Sequence, residues 1–119
     1  FYYESTIFDE VKDDYTIIKV EPFGPLVPIL SFKSFDEIIE RANNNDLGLC
    51  SYICTNSMEK AHRASELMES GTVAVNTPLV ALAEAPFGGI KQTGYGREGG
   101  SMAIKDYLNI KYTHLGLKG

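Results

Sequence analysis

Hydrophobic residues along the middle of the chain form one continuous run and then a helical repeat. The run LVPILSF (26–32) is long enough for a buried strand. Apolar residues then recur at helical spacing over 35–44, which predicts an amphipathic helix facing a core. Ser34 and Glu37 have the spacing of a capping box, which marks the start of that helix.

Two further predicted strands enclose a second predicted helix. The stretch GLCSYICT (48–55) is apolar on both faces, as a central parallel strand is. Asn56 and Glu59 mark a helix start, and Gly71 fits the end of that helix. TVAVN (72–76) is typical of a short third strand.

The order of these elements predicts the fold class. It is α/β, with a β-α-β-α-β parallel sheet and flanking helices. A loop over 77–97, a helix near 98–107 and a last strand at 109–115 follow. Because strands that are apolar on both faces need helices on both sides, we expect the sheet to continue into further chain or to pack on a partner.

Composition and charge narrow the partners. The chain has 119 residues, of which 44% are hydrophobic and 23% charged, so we expect one soluble globular domain. A net charge of −5 argues against nucleic acid as a partner. No apolar run is long enough for a membrane span, and the first residues lack the pattern of a signal peptide. Only two cysteines are present, which favours a reducing cytoplasm.

Six of the eleven glycines fall within EAPFGGIKQTGYGREGG (84–100), and such a cluster has a geometric reason. The segment could cradle a phosphate, bring backbone close to a substrate, or serve as a linker. GYGREG (94–99) fits a G-x-G-x-x-G pattern in letters. It follows a long loop rather than a strand, so the pattern is weak support for a phosphate site.

Two motifs resemble one known family. EPFGP (21–25) and PFGG-x-K-x-x-G-x-GRE (86–98), followed by an amphipathic segment and a final strand, closely resemble the C-terminal part of the NAD(P)-dependent aldehyde dehydrogenases. The glycine-rich stretch is similar to the semialdehyde branch. The resemblance covers nearly all of this chain. It implies that 1–107 is the C-terminal portion of a catalytic domain, and that 108–119 is an oligomerisation strand and tail.

The resemblance also implies a cofactor-binding pair. Glu21 would bind the hydroxyls of the nicotinamide ribose, and Phe23 would pack beside the nicotinamide ring. A carboxylate can accept two hydrogen bonds from a vicinal diol, and an aromatic face is a flat apolar wall. The alternative from the residues alone is that Phe23 is a core residue and Glu21 an exposed turn residue.

On the substrate side, the resemblance implies that Phe87 lines the aldehyde tunnel and that the adjacent glycines allow a close approach. Gly94 and Gly96 would form the turn into Arg97, a structural ion-pairing residue. Ala81 occupies the position where the succinate-semialdehyde branch carries a serine that helps to hold the substrate carboxylate. The particular aldehyde, succinate semialdehyde or a relative, therefore stays open.

The family's nucleophile motif G-Q-x-C and its base motif E-L-G-G do not occur in this sequence. We therefore assign no catalytic residue here. We expect a C-terminal fragment that is inactive alone and depends on a thiohemiacetal formed on a cysteine outside this chain. Cys50 and Cys54 are expected to be small buried hydrophobic residues that do not pair with each other. We predict no metal site, and a solvated face for the charges around Arg41 on the first helix.

The resemblance implies NAD or NADP as cofactor, bound mostly by parts outside this chain. It also implies a small aldehyde as substrate and a homodimer or homotetramer as the assembly. Two alternatives stay open: a non-catalytic α/β interaction module with a vestigial pocket, and a small nucleotide-binding domain that uses the glycine-rich loop.

Overall fold

Short strands and helices alternate along the chain in the computed structural model, which describes residues 2–117 and 119. They fall into two units, Phe1–Asn45 and Asp46–Gly119. The elements are β1 (Thr6–Phe8), α1 (Thr16–Lys19), β2 (Leu26–Pro28), α2 (Phe35–Asn43), β3 (Leu47–Gly48), β4 (Cys50–Ile53), α3 (Met58–Leu67), β5 (Thr72–Val75), β6 (Ile90–Lys91) and a 3₁₀ helix (Ala103–Tyr107).

The first unit is a parallel strand pair followed by a helix. β1 pairs with β2, with Thr6 opposite Leu26. Ser34 Oγ accepts a hydrogen bond from Glu37 N at 3.2 Å, which satisfies one of the unpaired amides at the start of α2. The helix predicted over 35–44 is therefore present as Phe35–Asn43, with Ser34 as its N-cap. The reciprocal bond of the predicted capping box differs, because Glu37 Oε2 accepts from Lys33 N at 2.8 Å and not from Ser34 N.

The strand predicted from the LVPILSF run is shorter than expected and ends at Pro28. Beyond it, the carbonyl oxygen of Ser31 accepts a hydrogen bond from Arg41 Nη1 at 2.8 Å. A backbone group that a longer strand would offer to a neighbouring strand is thus used by a side chain of α2.

The second unit contains a parallel β-α-β crossover. β4 pairs with β5 in parallel, from Cys50 opposite Thr72 to Ile53 opposite Val75. The intervening helix α3 buries Ala61, as its spacing predicts. Its cap is one residue later than predicted, because Ser57 Oγ, and not Asn56, accepts the bond from Lys60 N at 3.3 Å.

The predicted order strand-helix-strand-helix-strand is present, but one part of the prediction is wrong. The strands do not form a single sheet among the described residues. They form three two-stranded sheets, β1-β2, β3-β6 and β4-β5, of which the first and the last are parallel. The reason lies in partners that the pattern did not show: β2 pairs with the unpredicted β1, and the glycine-rich loop supplies β6 to β3.

The C-terminal part also departs from expectation. The helix predicted near 98–107 is only the 3₁₀ helix Ala103–Tyr107, because Gly99 (φ 67°) and Gly100 (φ 60°) adopt left-handed backbone conformations. The segment 109–115 forms no strand in the described chain, and Ile110 is fully exposed. Pairing of this segment with another subunit therefore stays a prediction.

The buried residues are few and small. Val11 is buried in the first unit, and Ala61, Ala64 and Ala74 are buried in the second. Large apolar side chains lie mostly at the surface of the described chain. Among the described residues, none of the helices has the length and apolar character that crossing a membrane requires.

Candidate functional site

Glu21 and Phe23 lie in a tight turn between α1 and β2. Gly24 N donates to Pro22 O at 2.8 Å, and Leu26 N donates to Gly24 O at 2.8 Å. The turn leaves the Glu21 side chain at the surface and the Phe23 ring 96% exposed. The alternative that Phe23 is a core residue is therefore wrong, whereas its other half, Glu21 as an exposed turn residue, agrees with the structure.

The turn exposes a carboxylate and an aromatic ring two residues apart. The carboxylate of Glu21 can accept two hydrogen bonds from neighbouring hydroxyl groups. The ring of Phe23 offers an apolar face for a flat heterocycle. The residues present therefore fit a ribose joined to an aromatic ring, which is the nicotinamide half of NAD(P).

The glycine-rich segment folds back on itself. Phe87 N donates to Glu98 O at 2.7 Å, and Glu98 N donates to Phe87 O at 2.7 Å. Gly100 N also donates to Ala83 O at 2.9 Å. These bonds fix the backbone of Phe87, whose side chain is half-buried. The segment is a closed loop, so the linker alternative is wrong.

Arg97 fastens this loop through carbonyl groups. Its Nη1 donates to Gly89 O at 2.8 Å and to Gly96 O at 2.7 Å. Its backbone N–H donates to Asp106 Oδ2 at 2.8 Å. Gly94 (φ 118°) and Gly96 (φ 88°) form the predicted turn into Arg97. The arginine has a structural role, as expected. The acceptors described for its side chain are carbonyl oxygens, whereas an ion pair was predicted.

An open pocket of about 390 Å³ borders the loop, lined in part by Phe87, Glu98, Asp106 and Tyr107. A phosphate site needs backbone N–H groups that point at the anion. Here the N–H groups of Arg97, Glu98 and Gly100 are bonded within the protein. These three N–H groups are not available to a phosphate, so the nucleotide-domain alternative loses part of its support.

The backbone of Gly71 lies against the backbone of Gly88 and Gly89. The cluster of glycines over 84–100 did not indicate this contact, because Gly71 lies outside it. A Cβ atom built on Gly71 would overlap Gly88 O and would lie 2.8 Å from Gly88 C and 3.0 Å from Gly89 Cα. The start of β5 thus packs directly on the glycine pair that follows Phe87. Gly71 was predicted as a helix stop, but α3 ends at Leu67 and its cap is Met68.

Ala81 lies at the surface, in the irregular stretch between β5 and Phe87. Near it, Ala85 N donates to Leu82 O at 3.2 Å in a turn. Ala81 and Phe87 belong to the second unit, whereas Glu21 and Phe23 belong to the first.

Asn76 ends the β4-β5 pair and was missed by the sequence analysis. Its Oδ1 accepts from Thr55 N at 2.9 Å, and its Nδ2 donates to Thr55 O at 2.9 Å. Its backbone N–H donates to Ile53 O at 2.8 Å. The backbone of Asn76 is left-handed (φ 54°), a conformation in which asparagine is enriched. An asparagine directly after a predicted strand was the signal available in the sequence.

Arg41 was also missed, because its charged neighbourhood resembled a solvated helix face. Its Nε and Nη2 bind Asp13 Oδ2 and Oδ1 at 3.0 and 2.9 Å. Its Nη1 binds Glu37 Oε1 at 3.1 Å. The Glu37 partner follows from the i,i+4 spacing, but no local pattern shows the distant Asp13. Arg41 and Glu37 remain partly exposed, so the predicted solvated face holds for them, but both side chains are paired on it.

The two cysteines are free, and they differ in exposure. Cys50 is half-buried in β4, but Cys54 is exposed, so the prediction that both are buried is wrong for Cys54. Residue 54 follows the end of β4, where the strand pairing no longer covers it. A hydrogen bond with Cys50 is the main reason that the pKa of Tyr52 is raised above its usual value.

The histidines are not drawn into a cluster. His62 is exposed on α3, where its Nδ1 lies 3.4 Å from Glu66 Oε2. Across residues 2–117, no group of three or more His, Cys, Asp or Glu side chains is arranged to hold a metal ion.

Comparisons with known proteins agree with the motifs. Residues 1–113 match the model of the aldehyde dehydrogenase family. Human retinal dehydrogenase 2 is 46% identical over 93% of this chain and 21% of its own length. The mitochondrial succinate-semialdehyde dehydrogenase of Arabidopsis thaliana is 44% identical over 97% of this chain and 22% of its own.

A solved structure shows the same fold. The NAD⁺ complex of an aldehyde dehydrogenase from Bacillus cereus superposes with a TM-score of 0.88 at 43% identity, over 94% of this chain and 23% of that protein. The chain thus spans between a fifth and a quarter of the length of these proteins.

Proposed function

The chain belongs to the aldehyde dehydrogenase family, and from that premise we propose that it is the C-terminal part of an enzyme that oxidises an aldehyde to a carboxylate with NAD(P). The observation that carries the proposal is the turn of the first unit. It leaves Phe23 almost fully exposed, two residues from the exposed carboxylate of Glu21.

The proposed role of this turn is to hold the nicotinamide half of the cofactor. NAD(P) supplies the hydride acceptor when it is bound. Glu21 would accept hydrogen bonds from the ribose hydroxyls, while Phe23 would cover one face of the ring and exclude water from it. We propose that residues outside this chain select between NAD and NADP.

The proposed role of Phe87 is to form part of the wall along which the aldehyde enters. Support comes from its fixed backbone, since the paired bonds to Glu98 hold the residue while its ring is half-buried. A rigid support of this kind is what a substrate-positioning residue needs.

The proposed substrate class is a semialdehyde. The glycine-rich stretch resembles the semialdehyde branch, and the Arabidopsis relative is a succinate-semialdehyde dehydrogenase. The human relative is named for retinal, a different aldehyde. Ala81 cannot hydrogen-bond a substrate carboxylate through its side chain. A carboxylate-tailed substrate would therefore need its polar partners elsewhere in the protein.

We also propose that the segment 108–119 joins an oligomerisation strand of a homodimer or homotetramer, and that the protein is cytoplasmic. The exposure of Ile110, at 102%, and of Tyr112, at 83%, supports the first of these proposals. A segment with exposed apolar side chains and no strand partner among the described residues is suited to pairing with another chain. The two free cysteines support the second.

The test uses two variants of the intact protein that carries this chain. Glu21→Gln should weaken transition-state binding by about 1–3 kcal/mol, the usual cost of disrupting a hydrogen bond to a charged group, and should raise the KM for the cofactor. Phe87→Ala should leave that KM nearly unchanged but alter the ratio of kcat/KM between a short and a bulky aldehyde.

Steady-state NAD(P)H formation measures both effects, with each variant as the control for the other. No turnover by the unaltered protein with any aldehyde would contradict the enzyme assignment. Equal kinetic losses in the two variants would contradict the division of roles between the turn and the loop.

A further inference from the structure

Arg41 joins two points of the first unit that are far apart in sequence. Its guanidinium binds both carboxylate oxygens of Asp13, at 3.0 and 2.9 Å. The same group donates from Nη1 to the backbone carbonyl of Ser31, at 2.8 Å. One side chain on α2 therefore holds Asp13 and Ser31 at once.

Asp13 and Ser31 flank the segment 14–30. Because both residues bind Arg41, both ends of the segment lie at this side chain. The segment contains α1, β2 and the turn with Glu21 and Phe23. Pairing of β2 with β1 holds only the returning side of the segment. The outgoing side, up to the turn, has Asp13 as its attachment to Arg41.

We propose that Arg41 is a positioning residue for the cofactor-binding turn, since it fixes both ends of the segment that presents Glu21 and Phe23. This inference rests on the proposed function only for its effect on cofactor binding. The effect on the order of the segment 14–30 is independent of what the turn binds.

The chemistry of the contact requires arginine. A planar guanidinium can donate two parallel hydrogen bonds to one carboxylate and still reach a third acceptor. The ammonium group of lysine has no such fork. Glu37 orients the arginine from the same helix, with Oε1 at 3.1 Å from Nη1, while its Oε2 accepts from Lys33 N at 2.8 Å. The arginine is thus held on the side of α2 that faces the two ends of the segment.

Ion pairs at this degree of exposure contribute little to global stability. The Arg41 and Asp13 side chains are 25% and 56% exposed. Such pairs are screened by water and salt, so loss of this one should leave the fold standing. Its effect should appear in the order of the segment that it closes. A positioning role can therefore be separated from a merely structural one.

The test compares Asp13→Asn with Asp14→Asn in the intact protein. Both variants remove one negative charge from adjacent residues, but Asp14 lies outside the contacts described for Arg41. Hydrogen–deuterium exchange of peptides covering 14–30 should be faster in Asp13→Asn and unchanged in Asp14→Asn. Arg41→Lys should behave as Asp13→Asn does, and Asp13→Glu, which keeps two carboxylate oxygens, should restore part of the protection.

The kinetic part of the test measures KM for the cofactor and for the aldehyde separately. If the competent arrangement of the turn falls to between a tenth and a third of the population, the KM for NAD(P) should rise about three- to tenfold. The KM for the aldehyde should stay the same. A merely structural role would instead lower the active fraction, and with it kcat, at an unchanged cofactor KM.

Two results would overturn the proposal. The first is equal exchange in Asp13→Asn and the unaltered protein, or equal acceleration in the two asparagine variants. The second is faster exchange with an unchanged cofactor KM. If the unaltered protein has no aldehyde dehydrogenase activity, the proposed function fails, and the exchange comparison still decides whether Arg41 orders the segment.

Discussion

The two candidate binding regions are held by different kinds of interaction. The turn with Glu21 and Phe23 belongs to a segment whose ends are tied by the charged side chains of Arg41 and Asp13. The loop with Phe87 is held by backbone pairing to Glu98. An ion pair at the surface responds to salt and pH, whereas backbone packing does not. The turn, which is the proposed cofactor side, is thus the adjustable region, and the loop, which is the proposed substrate side, is sterically fixed.

The strongest way to break this contrast is to put a methyl group at Gly71, in the fixed region. In Gly71→Ala the new Cβ would meet the backbone of Gly88 and Gly89, which cannot move aside as a side chain would. We expect a loss of about 3 kcal/mol or more in the free energy of unfolding, at the upper end for overpacked sites. Denaturant unfolding of the intact protein measures it.

Gly24→Ala is the matched control, since the nearest atom to a Cβ built there, Leu26 Cγ, lies 4.0 Å away. It should unfold as the unaltered protein does. A Gly71→Ala variant of unchanged stability would show that the backbone at Gly88 and Gly89 can move to accommodate the methyl group. The loop would then not be the more rigid of the two regions.

Asn76 allows a finer test of the fixed region. Asn76→Ala loses both hydrogen bonds to Thr55 and places alanine in a left-handed conformation, which we expect to cost about 2 kcal/mol in total. Asn76→Gly keeps the conformation accessible and loses only the hydrogen bonds, so it should cost about half as much. Thermal unfolding at matched pH separates the two terms, and equal losses in both variants would show that the backbone conformation contributes nothing.

The smallest expected effect concerns the adjustable region. The pKa of Glu37 is lowered from 4.5, first by the hydrogen bond from the Lys33 backbone and then by Arg41. A carboxylate with a lowered pKa in the folded state stabilises the fold above its ordinary pKa. That contribution is lost as the pH falls below 4.5.

The melting temperatures of Glu37→Gln and the unaltered protein should therefore differ slightly at neutral pH and converge in acid or at high salt. Gly71→Ala should keep its difference under all these conditions. A Glu37→Gln difference that does not change with pH or salt would show that the carboxylate acts through shape and not through charge.

The sequence predicted those parts of the molecule whose causes are local. The N-cap at Ser34, the spacing of α3 and the turn glycines before Arg97 each depend on neighbouring residues, and the structure has them as expected. The match of residues 1–113 to the family model agrees with local motifs such as EPFGP, which the sequence alone shows.

What the sequence could not show depends on long-range pairing. Asp13 meets Arg41 across 28 residues, and β3 finds its partner in the glycine-rich loop. Neither contact produces a repeating pattern of residues that the sequence would reveal. The terminal segment 109–115 alternates as a strand does, yet a strand also needs a partner, and the alternation does not identify one.

The stretch 77–86 lies between two anchored points, since Asn76 N is bonded to Ile53 O and Phe87 N to Glu98 O. In terms of loop-closure entropy, each doubling in the length of such a connection costs only about 0.6 kcal/mol. Insertions or deletions within 77–81 would leave the β4-β5 pair, the bond from Gly100 N to Ala83 O and the bridge at Phe87 in place. They would still reshape the surface around Ala81, so this connection is where a change of length would alter the proposed substrate side at the least thermodynamic cost.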